Sequence, residues 1–506
     1  MISDALDINL VSRTVGYKLS KGNFNTSSPN LPQLIAIFGE ANLANQSTLD
    51  PTTPMQITSA AQAGALYGYG SPIYLSARIL FPVNGGGTSS PVYVYPQAVA
   101  SGATSKKLTV TPTGTATANG VHTLVLNGRQ GLDGIFYNIN IVVGDTPATI
   151  SQKISDATNA ILGSPATGTV LTGTCVLESK WQGLTADGMN ASMFTNGVSL
   201  GITYAVTSTQ AGSATPSVAA SLALIGSNWV TKIASCYGTE STSCTAFELW
   251  NGRPDPTTPT GRFATIAMKP AVVLVGSVAD NEATFTDARL NEQTITVCST
   301  PLSLGFQFES VASYMVLESN TSSNTPHLHI AGKSLPDMPV PVSKNIGTMA
   351  IYANRQVYVL KGCSTVDLIG GVYVVEDFVT TYHKLGETPP QYRYVRDLNV
   401  DFNVFYSYRL LENIYVVDHI ICSDDAIVTA TNVVKPKQWK AVLSSALFPD
   451  LINRGLITGL DFSIASTYVG IGASNPNRFE TSFPYKRTGA ALVVSTTVFA
   501  GFNFGS

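Results

Sequence analysis

The sequence predicts a multidomain protein of mixed α/β and α+β class, with a central α/β core, an inserted β-rich module and extended arms at both ends. Three observations carry this. From about 216 to 412, apolar strand-like runs alternate with helical patterns, as in α/β layering. Between about 100 and 202 the composition shifts to short strands punctuated by Gly, Thr and Asn. The 506 residues are enough for several domains, and 44% of them are apolar.

Residues 1–28 read as an arm. Val11 to Leu19 is strand-like but isolated, and it runs into a polar, turn-rich stretch. The first part of the core, 29–99, contains two short apolar runs suited to buried strands, "LIAIF" from Leu34 and "VYVYPQ" from Val92. In the module, 100–202, "KKLTVTPTGTATANGVHTLVLNG" and "FYNINIVVG" give strands and turns. "GDTPATISQKISDATNAILG" is a helix there, capped by Asp145 or Thr146, with Pro147 in its first turn. Ile150, Ile154, Ala157 and Ile161 form its apolar stripe.

The central α/β domain, 216–412, holds strands in "FATIAMKPAVVLVG" and "GGVYVVEDFVTTY". It ends in the helix "VRDLNVDFNVFYSYRLLE", with Leu398, Phe402, Phe405 and Arg409 at helical spacing. Residues 413–487 form a C-terminal core domain around the helix "KQWKAVLSSALFPDLINRG", whose buried face would be Trp439, Val442, Leu443, Ala446 and Leu447. The last segment, 488–506, reads "TGAALVVSTTVFAGFNFGS" without one charged residue.

Charged residues make up 12% of the chain, about half of the ~25% usual in soluble proteins. Such a surface suits a protein whose faces are covered by partners. A net charge of −3 argues against nucleic-acid binding, which needs a basic stripe to displace phosphate counterions. The six cysteines lie far apart with no CxxC pair, as free thiols in a reducing compartment would. Asp4 and Asp7 stand where a signal peptide would carry lysine or arginine, and no run reaches the ~18 apolar residues of a membrane span. The expectation is a protein made in the cytoplasm, without membrane insertion.

No catalytic set emerges, and no cofactor is expected. His327 and His329 in "PHLHIAG" would share one face of a strand, but spacing supplies no third metal ligand. Adjacent carboxylates (Glu376 and Asp377, Asp424 and Asp425) point apart on a strand and make poor acid/base partners. "NGGGTSS" lacks the Lys-Ser/Thr of a phosphate loop. "NIGTMA" is similar to the nucleophile segment of subtilisin-like proteases, yet Met349 directly follows Thr348 and the attacking serine is missing.

The stretch "LPDMPVP", then "NIGTMAIYANRQVYVLKGCSTVDLIGGVYVVEDFVTTYHK", then "YRYVRDLNVDFNVFYSYRLLE" resembles the contractile-tail sheath proteins of phages, particularly the Mu-like group. Thr380, Thr381 and Tyr382 occupy the family's Thr-Thr-Tyr position, and "VLESKWQGLTADGMN" resembles the end of its protruding module. The likeness runs from about Leu34 onward and lies in order and spacing more than in any invariant motif. The three prolines of "LPDMPVP" depart from the pattern. The resemblance implies an inactive subtilisin-like domain, a protruding module at 100–202, and arms that add strands to small sheets on neighbouring subunits.

The two arms suit that role. In the last segment Leu492, Val494, Thr496 and Val498 would face one side, and Val493, Ser495, Thr497 and Phe499 the other. Both faces are largely apolar or β-branched, as an inserted strand requires. The tail could equally be the last strand of the chain's own sheet; the resemblance favours donation, through Leu492, Val493, Val494, Val498 and Phe499. The N-terminal donor would be Val11, Val15, Tyr17 and Leu19. The resemblance further implies stacked hexameric rings or a helical polymer, and partners in a tail tube, a baseplate and a tail terminator. Lys435, Lys437 and Lys440 would touch the acidic tube. The other classes are a capsid or surface-layer subunit, or a hydrolase, for which the chain shows no nucleophile.

Overall fold

The computed structural model describes residues 29–255, 257–264, 268–387 and 391–500. Val11, Val15, Tyr17 and Leu19, and the rest of the predicted N-terminal arm, lie outside the described residues. The chain is a mixed α/β protein of two compact units. The larger holds 30–406, 455–458 and 485–500; the smaller contains 407–454 and 459–484. The predicted boundary at 412 falls inside the helix Val395–Tyr415.

In the larger unit a six-stranded sheet runs in the order Ile295–Ser299, Val272–Ser277, Lys232–Ser235, Ile35–Glu40, Val92–Gln97 and Met55–Ile57. Every neighbour is parallel except the last pair. Parallel strands need crossovers, and helices such as Pro72–Leu80 and Ser241–Asn251 supply them. Both faces are covered, which is why "IAIFGE" and "VVLVGS" are buried throughout. Alternate side chains therefore feed two separate cores. Ile35, Ile37, Val94, Val272 and Leu274 point to one; Ala36, Phe38, Ile233, Val273 and Val275 point to the other. Each such buried aliphatic contributes about 2 kcal/mol of transfer free energy.

One buried cation ties this sheet to two helices. Lys232 is 0% exposed, and its Nζ donates to Glu318 Oε1 and Asn399 Oδ1, both at 2.7 Å. Asn399 and Ser322 donate to the same Glu318 oxygen, so the desolvated charges are matched. The free edge of the sheet, Ile295–Ser299, is closed by the Thr380–Thr381–Tyr382 segment. Thr381 N donates to Ile295 O at 2.8 Å, and its hydroxyl donates to Glu292 O at 3.0 Å.

The inserted module lies between the strands Val92–Gln97 and Lys232–Ser235. It comprises a four-stranded antiparallel sheet, a three-stranded one and the helix Pro147–Asn159. Thr146 is the cap, accepting from Thr149 N; Ile150 and Ile154 are buried, and Ile161 is buried just beyond the helix end. Thr203–Gln210 pairs with Lys107–Thr113, so the module's sheet takes a strand from beyond the predicted limit at 202. The module is firmly seated on the core. Trp181, 0% exposed, sits edge-on to Phe306 and Phe308; Arg129 pairs with the buried Glu309 at 2.9 Å; the Asn127 and Asn190 amides donate to Leu304 O.

The smaller unit is built around Trp439, packed by Tyr408 and Tyr415, with Phe448 against Phe483. Its predicted long helix is three pieces: Pro436–Val442, a π-helical turn Leu443–Leu447, and Phe448–Asn453. This corrects the expected buried face. Trp439, Leu443 and Leu447 are buried as read, but Ala446 is exposed, and Phe448 and Leu451 are buried instead. The wider i→i+5 turn puts the following side chains out of 3.6-residue register. A short antiparallel hairpin, Tyr468–Ile471 with Phe479–Ser482, completes the unit; among the described residues these strands pair only with each other.

Candidate functional site

The C-terminal segment divides sharply at Thr488. Before it, Lys486–Arg487 pairs antiparallel with Ile457–Thr458. The Arg487 guanidinium binds Asp401 through both oxygens, Nε to Oδ1 at 2.7 Å and an NH2 group to Oδ2 at 2.5 Å. Tyr485 OH donates to the same carboxylate at 2.8 Å, and the Arg487 guanidinium lies 5.4 Å from the Tyr392 ring centroid. Thr488 is held from two sides: its hydroxyl donates to Gly455 O at 2.7 Å, while Arg396 donates to its carbonyl and its hydroxyl, each at 2.5 Å.

Beyond Gly489 the anchoring stops. Among the described residues, 489–500 form no strand, and the backbone bond recorded within the segment is Leu492 N to Ala490 O, 2.9 Å. Val493 and Phe499 are 90% and 92% exposed, Val494 and Val498 78% and 81%, and Leu492 38%. Both predicted faces of the tail are thus uncovered. Burying any of these side chains would yield roughly 1.5–3 kcal/mol, and consecutive free N–H and C=O groups are a template for pairing with another chain.

The tail root lines a cavity of about 870 Å³, together with His327, His329, Glu376, Asp377, Arg393 and Arg396. Both histidines of "PHLHIAG" therefore reach one cavity, although their segment is not a strand. Burial, aided by Arg396, lowers the His329 pKa to about 4, so the ring is neutral and packs edge-on to Tyr394 at 5.2 Å. Among the described residues no group of three metal-ligating side chains forms. Burial, then the neighbouring Glu376, raises the Asp377 carboxyl above its ordinary value.

The three candidate lysines differ. Lys435 Nζ donates to Ala426 O at 2.5 Å and Lys440 Nζ to Thr467 O at 2.6 Å, both within the smaller unit. Lys437 is exposed, and its backbone N–H, not its side chain, binds Asp424. At "NIGTMA" the Thr348 hydroxyl accepts from Tyr358 OH at 2.7 Å, and Thr348 N donates to Asp280 at 2.7 Å, so both groups are engaged structurally. Among the described residues no helix is long and apolar enough to cross a membrane.

Sequence reasoning reached the tail but missed its anchor. Arg396 and Asp401 lie on the helix Val395–Tyr415, and their partners Thr488 and Arg487 stand more than eighty positions away. Only a pattern of paired substitutions across relatives could have signalled such a contact.

No protein-family model matches the chain, and no curated protein sequence does. Among solved structures, it is similar to a sheath tail protein from Desulfitobacterium hafniense. The identity is 10% and the TM-score 0.44, over 94% of this chain and 100% of that one. It is also similar to a chain of the anti-feeding prophage baseplate, with 11% identity and a TM-score of 0.46, over 97% of this chain and 100% of that one.

Proposed function

We propose that this chain is the structural subunit of a contractile tail sheath, polymerising around a tail tube and shortening to drive that tube through a host envelope. The observation that carries the reading is the C-terminal segment: rigidly anchored through Thr488, then apolar on both faces and uncovered. A chain that stops spending hydrogen bonds at Gly489, yet stays β-prone, is arranged to finish its sheet on a neighbour. A heterologous contact of this kind closes into a ring or, where its rotation does not close, builds a helical filament.

The hairpin Tyr468–Ile471 with Phe479–Ser482 is the small sheet best suited to receive it, since two isolated strands are marginal alone. The N-terminal arm, through Val11, Val15, Tyr17 and Leu19, is the second donor in this reading. Exchanged strands tether subunits while their cores slide, so contraction is a switch between two packings of the same core. Lys437 is the strongest of the three lysines for contact with an acidic tube, because it is exposed.

Electron microscopy of the purified chain beside a version ending at Arg487 tests this. Long hollow tubes from the full chain alone are expected. Tubes from both versions would remove the tail from the mechanism, and a full chain that stays monomeric at high concentration would count against the sheath itself.

A further inference from the structure

A second feature, independent of polymerisation, lies where the inserted module meets the core. Glu40 ends the strand Ile35–Glu40 and is 1% exposed. Its strand lies between Lys232–Ser235 and Val92–Gln97. The chain goes from Ile35–Glu40 to one neighbour and later returns on its other side, so the carboxyl sits at the switch point of the sheet. In open α/β sheets that crevice commonly takes a ligand. Here the segment Trp181–Gly188 of the module covers it.

The surroundings of the carboxyl are unusual for an acid. Among the described residues, Oε2 accepts from the Thr185 hydroxyl at 3.2 Å, while Oε1 is buried without a side-chain partner. The titratable groups facing it are Cys236 and Tyr237, from the end of the adjacent strand, and both are buried. Among the described residues the Tyr237 hydroxyl has no hydrogen-bond partner either. From the module come Thr185, which is uncharged, and the backbone of Gly183, where an added Cβ would stand 2.8 Å from Oε1. Among the described residues no lysine, arginine or histidine forms an ion pair with it. A carboxylate here would be desolvated and offset only by hydrogen bonds from the backbone and the Thr185 hydroxyl, which burial outweighs, so the neutral acid is favoured.

We propose that Glu40 is a proton-dependent latch: protonated, it lets the Trp181–Gly188 segment seat on the core, and its ionisation favours release of that segment. Burial holds the carboxyl at about 8 in the seated state, against an ordinary glutamate value of 4.5. When the segment lifts, water reaches the carboxyl and it ionises normally. Opening thus releases one proton across that interval. The opening constant rises about tenfold per pH unit between those limits and levels off above them. The seated state is favoured in acid and loses ground as pH rises through neutrality.

Hydrogen exchange of the full chain, followed by mass spectrometry from pH 5 to 8 and corrected for intrinsic exchange, tests the latch. Protection of 181–188 should fall about tenfold per pH unit, while the central strand Val272–Ser277 serves as internal reference. In Glu40→Gln that slope should vanish. Thr185→Val should lower protection at every pH while keeping the slope, which separates simple loosening from proton linkage. A flat profile in the wild type, or the same slope in Glu40→Gln, would overturn the proposal.

Discussion

Residues 485–488 and 489–500 are neighbours in sequence and opposites in physics. The first four make paired strands, a bidentate ion pair and four side-chain bonds at Thr488. The next twelve keep a β-forming sequence but leave Val493, Val494, Val498 and Phe499 almost wholly exposed. The difference teaches how one chain can join a fixed root to an uncovered apolar segment. In the proposed reading, the root sets where a donated strand would leave and the tail carries the apolar area a neighbouring subunit would cover.

Substitutions can break this contrast from either side. The largest effect on folding is expected at the root. Asp401→Ala leaves Arg487 half-buried without its carboxylate and Tyr485 without its acceptor, and should cost about 3 kcal/mol in urea unfolding. A loss under about 1 kcal/mol would mean the root is not the rigid anchor described. On the tail, Val494→Asp should change monomer stability by no more than about 0.5 kcal/mol, because the side chain is exposed. It should nevertheless abolish tube formation seen by electron microscopy, since a charge would have to enter a covered sheet. Unfolding of the monomer by this change would place the tail in the chain's own fold. The smallest effect belongs to Lys437→Glu. Sheath polymerisation alone should proceed unchanged, while co-sedimentation with an acidic tube weakens by a few-fold.

Much of the larger unit was legible in the sequence. Its buried parallel strands read as unbroken apolar runs because both faces of the sheet are covered, and the module read as short strands punctuated by Gly, Thr and Asn; in Lys107–Thr113 and Thr174–Ser179 every second side chain is buried. The helix at Pro147 announced itself for local reasons, a side-chain cap from Asp145 or Thr146 and a fixed φ, and the structure chose Thr146. The helix beginning at Pro436 shows where such reading stops. The π turn at Leu443–Leu447 exposes Ala446 and brings Phe448 and Leu451 inward, and no residue-spacing rule anticipates an extra residue per turn.

By itself the sequence determined what is local: strand against helix, the apolar periods, the low charge, Met349 standing directly after Thr348 where the compared segment has serine, and the β-prone tail. The tertiary structure alone decided what depends on distant partners. It placed Asp401 against Arg487, left Lys437 exposed while tying Lys435 and Lys440 to carbonyls, and closed the module over Glu40. Propensity and hydrophobic period act within a few residues, whereas desolvation and ion pairing depend on which groups the fold brings together.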